Sequence, residues 1–104
     1  MNRPGASHIE GILSAIADPK ETERFMAARR VLQEHLVHTR EILNGKDFLF
    51  AGPSDVLLRA LRDLVAIEHR AGRSLQFDFA RVDEYFLLRV VGAASYKEVI
   101  ESYF

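Results

Sequence analysis

With 104 residues, 48% of them apolar and 28% charged, the chain has the composition of one globular domain able to bury a core without staples. Fourteen basic against fifteen acidic residues leave a net charge of -1, shared evenly between the two halves, which removes any global pull toward nucleic acid or a membrane surface. The absence of cysteine excludes disulfides, thiolate chemistry and Cys-type zinc sites. No basic leader with an apolar core opens the chain and no apolar run is long enough to span a bilayer, so a cytoplasmic protein is expected.

After a short polar lead, Ser7 and Glu10 form a capping box ahead of Ile9, Ile12, Leu13 and Ile16, the stripe of a short helix over 7–17. Asp18-Pro19 breaks it and opens a second helix, which the apolar period carries from Pro19 to Asn44 with Gly45 as its stop. Phe25, Ala28, Val31, Leu32, Leu36, Ile42 and Leu43 share one arc, and at 1.5 Å per residue such a helix is about 39 Å long. The apolar run Phe48 to Ala51 reads as a buried strand, and Gly52-Pro53-Ser54-Asp55 as the cap of a third helix that stops near Gly72. Ala51 and Val56 are spaced as a hydrophobic staple across that cap.

Leu75 to Val91 reads as a hairpin centred on Asp83-Glu84. That register sets Phe79 against Leu88 and Phe77 against Val90 on one face, and Asp78 against Arg89 and Ala80 against Leu87 on the other. Asp-Glu is a poor two-residue turn, so a four-residue loop from Arg81 to Glu84 is expected in the same register. Ser95, with Glu98 three residues on, caps a last helix whose stripe of Tyr96, Val99, Ile100, Tyr103 and Phe104 runs to the final residue. That stripe implies either that Tyr103 and Phe104 dock, or that the chain is the front piece of something longer.

The fold class is therefore α+β in one domain, 1–104. A helical hairpin, short helix plus long helix over 7–44, precedes a β-α-β-β-α unit over 48–104, with a small three-stranded sheet, mixed or antiparallel, and no internal repeat. If the strands flanking the third helix lie parallel, their link is a right-handed crossover.

Candidate sites are few. His35 and His38 lie three apart, and Glu34, His38 and Glu41 share one side of the expected helix, but a metal pair on helices needs matching ligands, and only Glu68-His69 offers any. No metal and no cofactor is expected. The strand-to-helix turn at Ala51–Asp55 lacks the glycines of a phosphate loop. Arg59, Arg62, His69 and Arg73 share a helix face that would suit phosphates, with Asp63 and Glu68 interrupting it. Ser54, Ser74 and Ser95 lack a nucleophile elbow, so no catalytic residue is assigned.

Surplus apolar groups are the stronger signal: Met26 and Val37 on the polar side of the long helix, and Tyr85, Leu87 and Val91 on the hairpin face opposite the phenylalanines. The reading is a non-enzymatic interaction or regulatory module that self-associates as a homodimer through its long helix, with Met26, Val31, His35, Val37, His38, Ile42, Tyr85, Leu87 and Val91 at the interface. The alternative is a small-ligand or nucleic-acid binder using an apolar pocket between sheet and helices or the Arg59–Arg73 face. No membrane partner is expected.

Overall fold

Asp18 caps a helix as expected: its backbone is extended and its carboxylate accepts from the Lys20 N–H at 2.9 Å, while Pro19 presets the first turn. The computed structural model describes residues 18–70, 75–101 and 103–104, so the expected helix over 7–17 lies outside the described residues. The first described helix, α1 (Pro19–His35), stops nine residues before Asn44. Leu36 turns extended, with φ -70° and ψ 123°, and its N–H bonds to the Gln33 carbonyl. His35 seals that end, because its Nδ1–H donates to the Val31 carbonyl at 2.8 Å and its ring lies against Gly52, where a Cβ would strike it.

The rest of the expected long helix is a hairpin. Strand β1 (Leu36–Ile42) meets β2 (Gly45–Ala51) through the two-residue turn Leu43-Asn44, with Asn44 at φ 60°. The physical reason lies in the partner. Residues 36–42 include Val37, Thr39 and Ile42, β-branched groups that fit a pleated surface, and pairing with β2 gives their backbone a ladder that a lone helix end lacks. A bulge between Leu36 and His38 also breaks the alternation that marks a strand. Strand β2 begins at Gly45 rather than Phe48, and a Cβ on Gly45 would strike the Val90 carbonyl of the next strand.

Helix α2 (Ser54–Arg70) buries Leu57, Ala60, Leu61, Leu64 and Ile67, while Val56 stays exposed. Strands β3 (Gln76–Val82) and β4 (Tyr85–Val91) follow in the expected register, Phe77 on Val90, Asp78 on Arg89, Phe79 on Leu88 and Ala80 on Leu87. Their turn is two residues, not four: Val82 and Tyr85 still pair, and Asp83 takes φ 56°, a conformation aspartate tolerates. The expected last helix is reduced to a 3-10 turn, Ala94–Tyr96, and the short α3 (Lys97–Glu101). Ser95 is not its cap: Ala93 holds that position, without a side-chain bond.

The sheet therefore has four strands, not three, in the order β1-β2-β4-β3, all neighbours antiparallel. Strands β2 and β3 run in the same direction with β4 between them, a split β-α-β link. An internal repeat does exist in space: helix, strand, two-residue turn, strand, twice over, with both helices 17 residues long and all four strands seven.

The two long helices cover one face of the sheet. Phe25, Ala28 and Leu32 of α1 and the buried row of α2 close over Phe48, Phe50, Phe86, Leu88 and Val90. Tyr103 is wholly buried in this layer, and the Phe104 ring meets those of Phe48 and Phe50 edge-on at 5.0 and 5.5 Å. Both terminal rings thus dock, though outside any helix. Among the described residues no helix is long and apolar enough to cross a membrane.

Candidate functional site

Because side chains alternate across a strand, the residues between those core positions form the opposite face of the sheet. Beside a row of Ile42, Gly45, Val91 and Gln76 at one end, two further rows cross that face from edge to edge. One is charged and alternates in sign: Arg40, Asp47, Arg89 and Asp78, each paired with the next across β1, β2, β4 and β3. The other follows in the order His38, Leu49, Leu87 and Ala80. Beyond it Ala51, Tyr85 and Val82 complete an apolar end.

Asp47 is the hub of the charged row. It is 3% exposed, and its carboxylate accepts from Arg89 Nε at 2.8 Å, from Arg89 Nη2 at 3.0 Å and from Arg40 Nη2 at 2.8 Å. The Arg89 bonds hold its carboxyl below the usual value; burial works against them and Arg40 adds to them. Arg89 is raised in turn by Asp47. Both arginines stay substantially exposed, so they sit over the aspartate like a lid and present their charge outward. Next to this row His38, Leu49, Val82 and Leu87 line a shallow groove.

The structure sorts the expected interface residues into separate places. His38, Tyr85, Leu87 and Val91 share the open sheet face, and Val37 is exposed at its β1 bulge. Met26 and Val31 belong to the helical layer, where they pack half-buried against the core. His35 caps α1, and Ile42 lines a separate cleft at the strand end with Ala93 and Ile100. A contact along one continuous helix is not available to these residues, since that helix ends at His35.

Of the alternative phosphate face, Arg59, Arg62 and His69 are exposed on α2, and Arg73 lies outside the described residues. Arg59 shares its groove with Arg24, Asp55 and Asp63, so both signs line it. Glu34, His38 and Glu41 are no longer on one side of one helix: Glu34 is on α1, while His38 and Glu41 fall on alternate sides of β1. Among the described residues no group of three His, Asp or Glu side chains is placed to hold a metal.

A second polar cluster lies inside. Glu68 is fully buried on α2 and accepts from the Tyr103 hydroxyl, while Arg29 Nη2 of α1 donates to the Tyr103 carbonyl at 2.8 Å. Burial first, then the Glu68 charge, pushes the Tyr103 phenol well above its usual range. This cluster pins the chain end between the two helices, a structural role. Asp47 and Leu49 are not among the expected site residues, because the sequence reading starts the strand at Phe48 and takes Leu49 as part of a wholly buried apolar run. The missed signal is the alternation of Asp47, Leu49 and Ala51 with Phe48 and Phe50. Comparison with family models, with curated proteins and with solved structures finds no match to the chain.

Proposed function

We propose that the protein is a non-enzymatic, regulatory interaction module whose working surface is the open face of its sheet. One observation carries this reading: a four-stranded sheet has one face sealed by two helices and the other uncovered by any described element, yet built from an apolar row beside a charge-balanced row. Of the five large apolar residues most exposed among those described, Val82 and Tyr85 pair at one end of that face. The Arg40, Asp47 and Arg89 side chains there neutralise one another across strands. Such a surface suits another protein better than a reacting small molecule.

The chain has no cysteine, which makes thiol footprinting a direct test. Val82 and Val56 are 45% and 40% exposed, one on the open face and one on α2. In cells expressing single-cysteine variants, Val82→Cys should label at least several-fold more slowly than Val56→Cys, and the two should label alike in dilute purified protein. Equal labelling in both settings would remove the open face as a working surface.

A further inference from the structure

We infer that the partner of this face is a second copy of the chain, seated face to face about a two-fold axis parallel to the strands and passing between β2 and β4. The inference rests on the open face being an interaction surface, and the charged row adds the geometry. Read across the sheet, that row is plus, minus, plus, minus: Arg40, Asp47, Arg89, Asp78. A two-fold axis along the strands keeps each row over itself and reverses its order. The exposed charges then complement each other at both edges, where Arg40 of one copy lies over Asp78 of the other, while at the centre the closed Asp47–Arg89 pair of one copy lies over that of the other. The apolar row behaves equally well, since Leu49 comes over Leu87, and Ala51 over Tyr85. An axis lying across the strands fails. Centred on the charged row it sets like over like; shifted toward the apolar rows it sets the charged row against Leu49 and Leu87 or against Ala51, Tyr85 and Val82, and burying charge without a partner is costly.

Area limits the strength. Four strands about 4.8 Å apart, each of seven residues at about 3.3 Å, give a face of about 19 by 23 Å, so two copies cover about 900 Å² together. Side-chain flanks bring this toward the lower limit of stable pairs, about 1,200 Å², so the dimer should dissociate in the micromolar range. Aligned sheets pack about 30° apart, which moves the edge positions only slightly from register when the axis is central. The long arginine side chain spans that offset.

The edge pair gives a clean test, because within one chain Arg40 and Asp78 are three strand spacings apart, about 14 Å, and cannot meet. Sedimentation of the full-length chain across the micromolar range should show a reversible dimer. Arg40→Glu alone, and Asp78→Lys alone, should each weaken it at least tenfold, with circular dichroism confirming that both fold. An equimolar mixture of the two variants should dimerise again, since the mixed pair has one native and one reversed contact and no repulsion. Changes within a chain are present before and after mixing, so only contact between copies explains recovery. A wild-type dimer indifferent to both substitutions, or variants that stay apart when mixed, would overturn this pairing. A wild-type monomer throughout would overturn self-pairing altogether, while slow labelling of Val82→Cys in cells would then still leave the face serving a different protein.

Discussion

The two halves of the molecule, 19–51 and 54–91, are the same assembly reached through different junctions. In each, a 17-residue helix precedes two seven-residue strands and a two-residue turn, and the hairpins run forty positions apart along the chain. The first half passes from helix to strand with no residue between His35 and Leu36; the second leaves five residues, Gly72 among them, before Gln76. In the first half nothing local compels the helix to end. What ends it is tertiary: β2 offers a ladder, and the His35 ring has a slot against Gly52. Pairing with a neighbour can thus end a helix where no glycine or proline stands to do so.

Tyr103 is where the halves depend on each other, because it touches Arg29 of the first helix and Glu68 of the second. Tyr103→Ala should therefore show the largest effect, about 3–5 kcal/mol from lost burial. In a domain of this size that lowers the melting temperature by about 15–30 °C, read by thermal unfolding. Tyr103→Phe keeps the ring and loses only the hydroxyl. The sign of its pH dependence follows from the raised phenol: the folded protein resists ionisation, so the contribution is complete below about pH 10 and lost as pH rises above it. Wild-type stability should fall in that alkaline range, and the phenylalanine variant should fall less.

Next come the two aspartates of the charged row, one in each half. Asp47 is buried beneath two arginines, whereas Asp78 is exposed at the edge. Asp47→Asn should cost about 1–3 kcal/mol, since a buried group bound to charged partners is hard to replace. Asp78→Asn should stay within about 0.5 kcal/mol in the monomer. The Asp47 carboxyl is depressed in the folded chain, so its contribution is full above about pH 4 and lost as pH falls through the lower folded value. Acid titration of unfolding should show that loss in the wild type and not in Asp47→Asn.

Gly45 and Tyr85 hold matching places, each first in the second strand of its hairpin. Gly45→Ala drives a methyl into the Val90 carbonyl and should cost about 1–3 kcal/mol by overpacking, measured by denaturant unfolding. Tyr85→Ala, at a position 39% exposed, should cost less than about 1 kcal/mol. Equal costs would mean that the central β2–β4 seam tolerates a side chain at both places, and the halves would be more alike than their backbones suggest.

How much of this was legible follows the same division. The register of the second hairpin was readable, though not its two-residue turn, because Phe77, Phe79, Leu88 and Val90 alternate without interruption and a slip would separate Asp78 from Arg89. The first was hidden. Its edge strand carries His38, Arg40 and Glu41, its alternation is broken by the bulge, and its apolar residues fit a helical period equally well. The charged row was half visible for that reason: Asp78 and Arg89 stood out, while Arg40 and Asp47 were assigned to a helix and to a flank. The apolar surplus at Tyr85, Leu87 and Val91 was legible, and its partners His38 and Leu49 became neighbours only through a pairing that no local pattern announces.

The smallest expected effects distinguish the turns. Both are two residues long, yet the positive φ falls on the second turn residue, Asn44, in the first hairpin and on the first, Asp83, in the second. The backbones are therefore of different types, the second having the sign pattern of a type II′ turn, whose twist suits a hairpin. Glycine relieves a side chain only where φ is positive; elsewhere it adds freedom to the unfolded chain and destabilises by about 0.4–1 kcal/mol. Asn44→Gly and Asp83→Gly should thus be neutral or slightly stabilising, whereas Leu43→Gly and Glu84→Gly should each cost about 0.5–1 kcal/mol. The sign should alternate between the hairpins, second position favoured in one and first in the other. If glycine is preferred at the same position in both, the two turns share one backbone and the asymmetry between the halves is confined to their helix junctions.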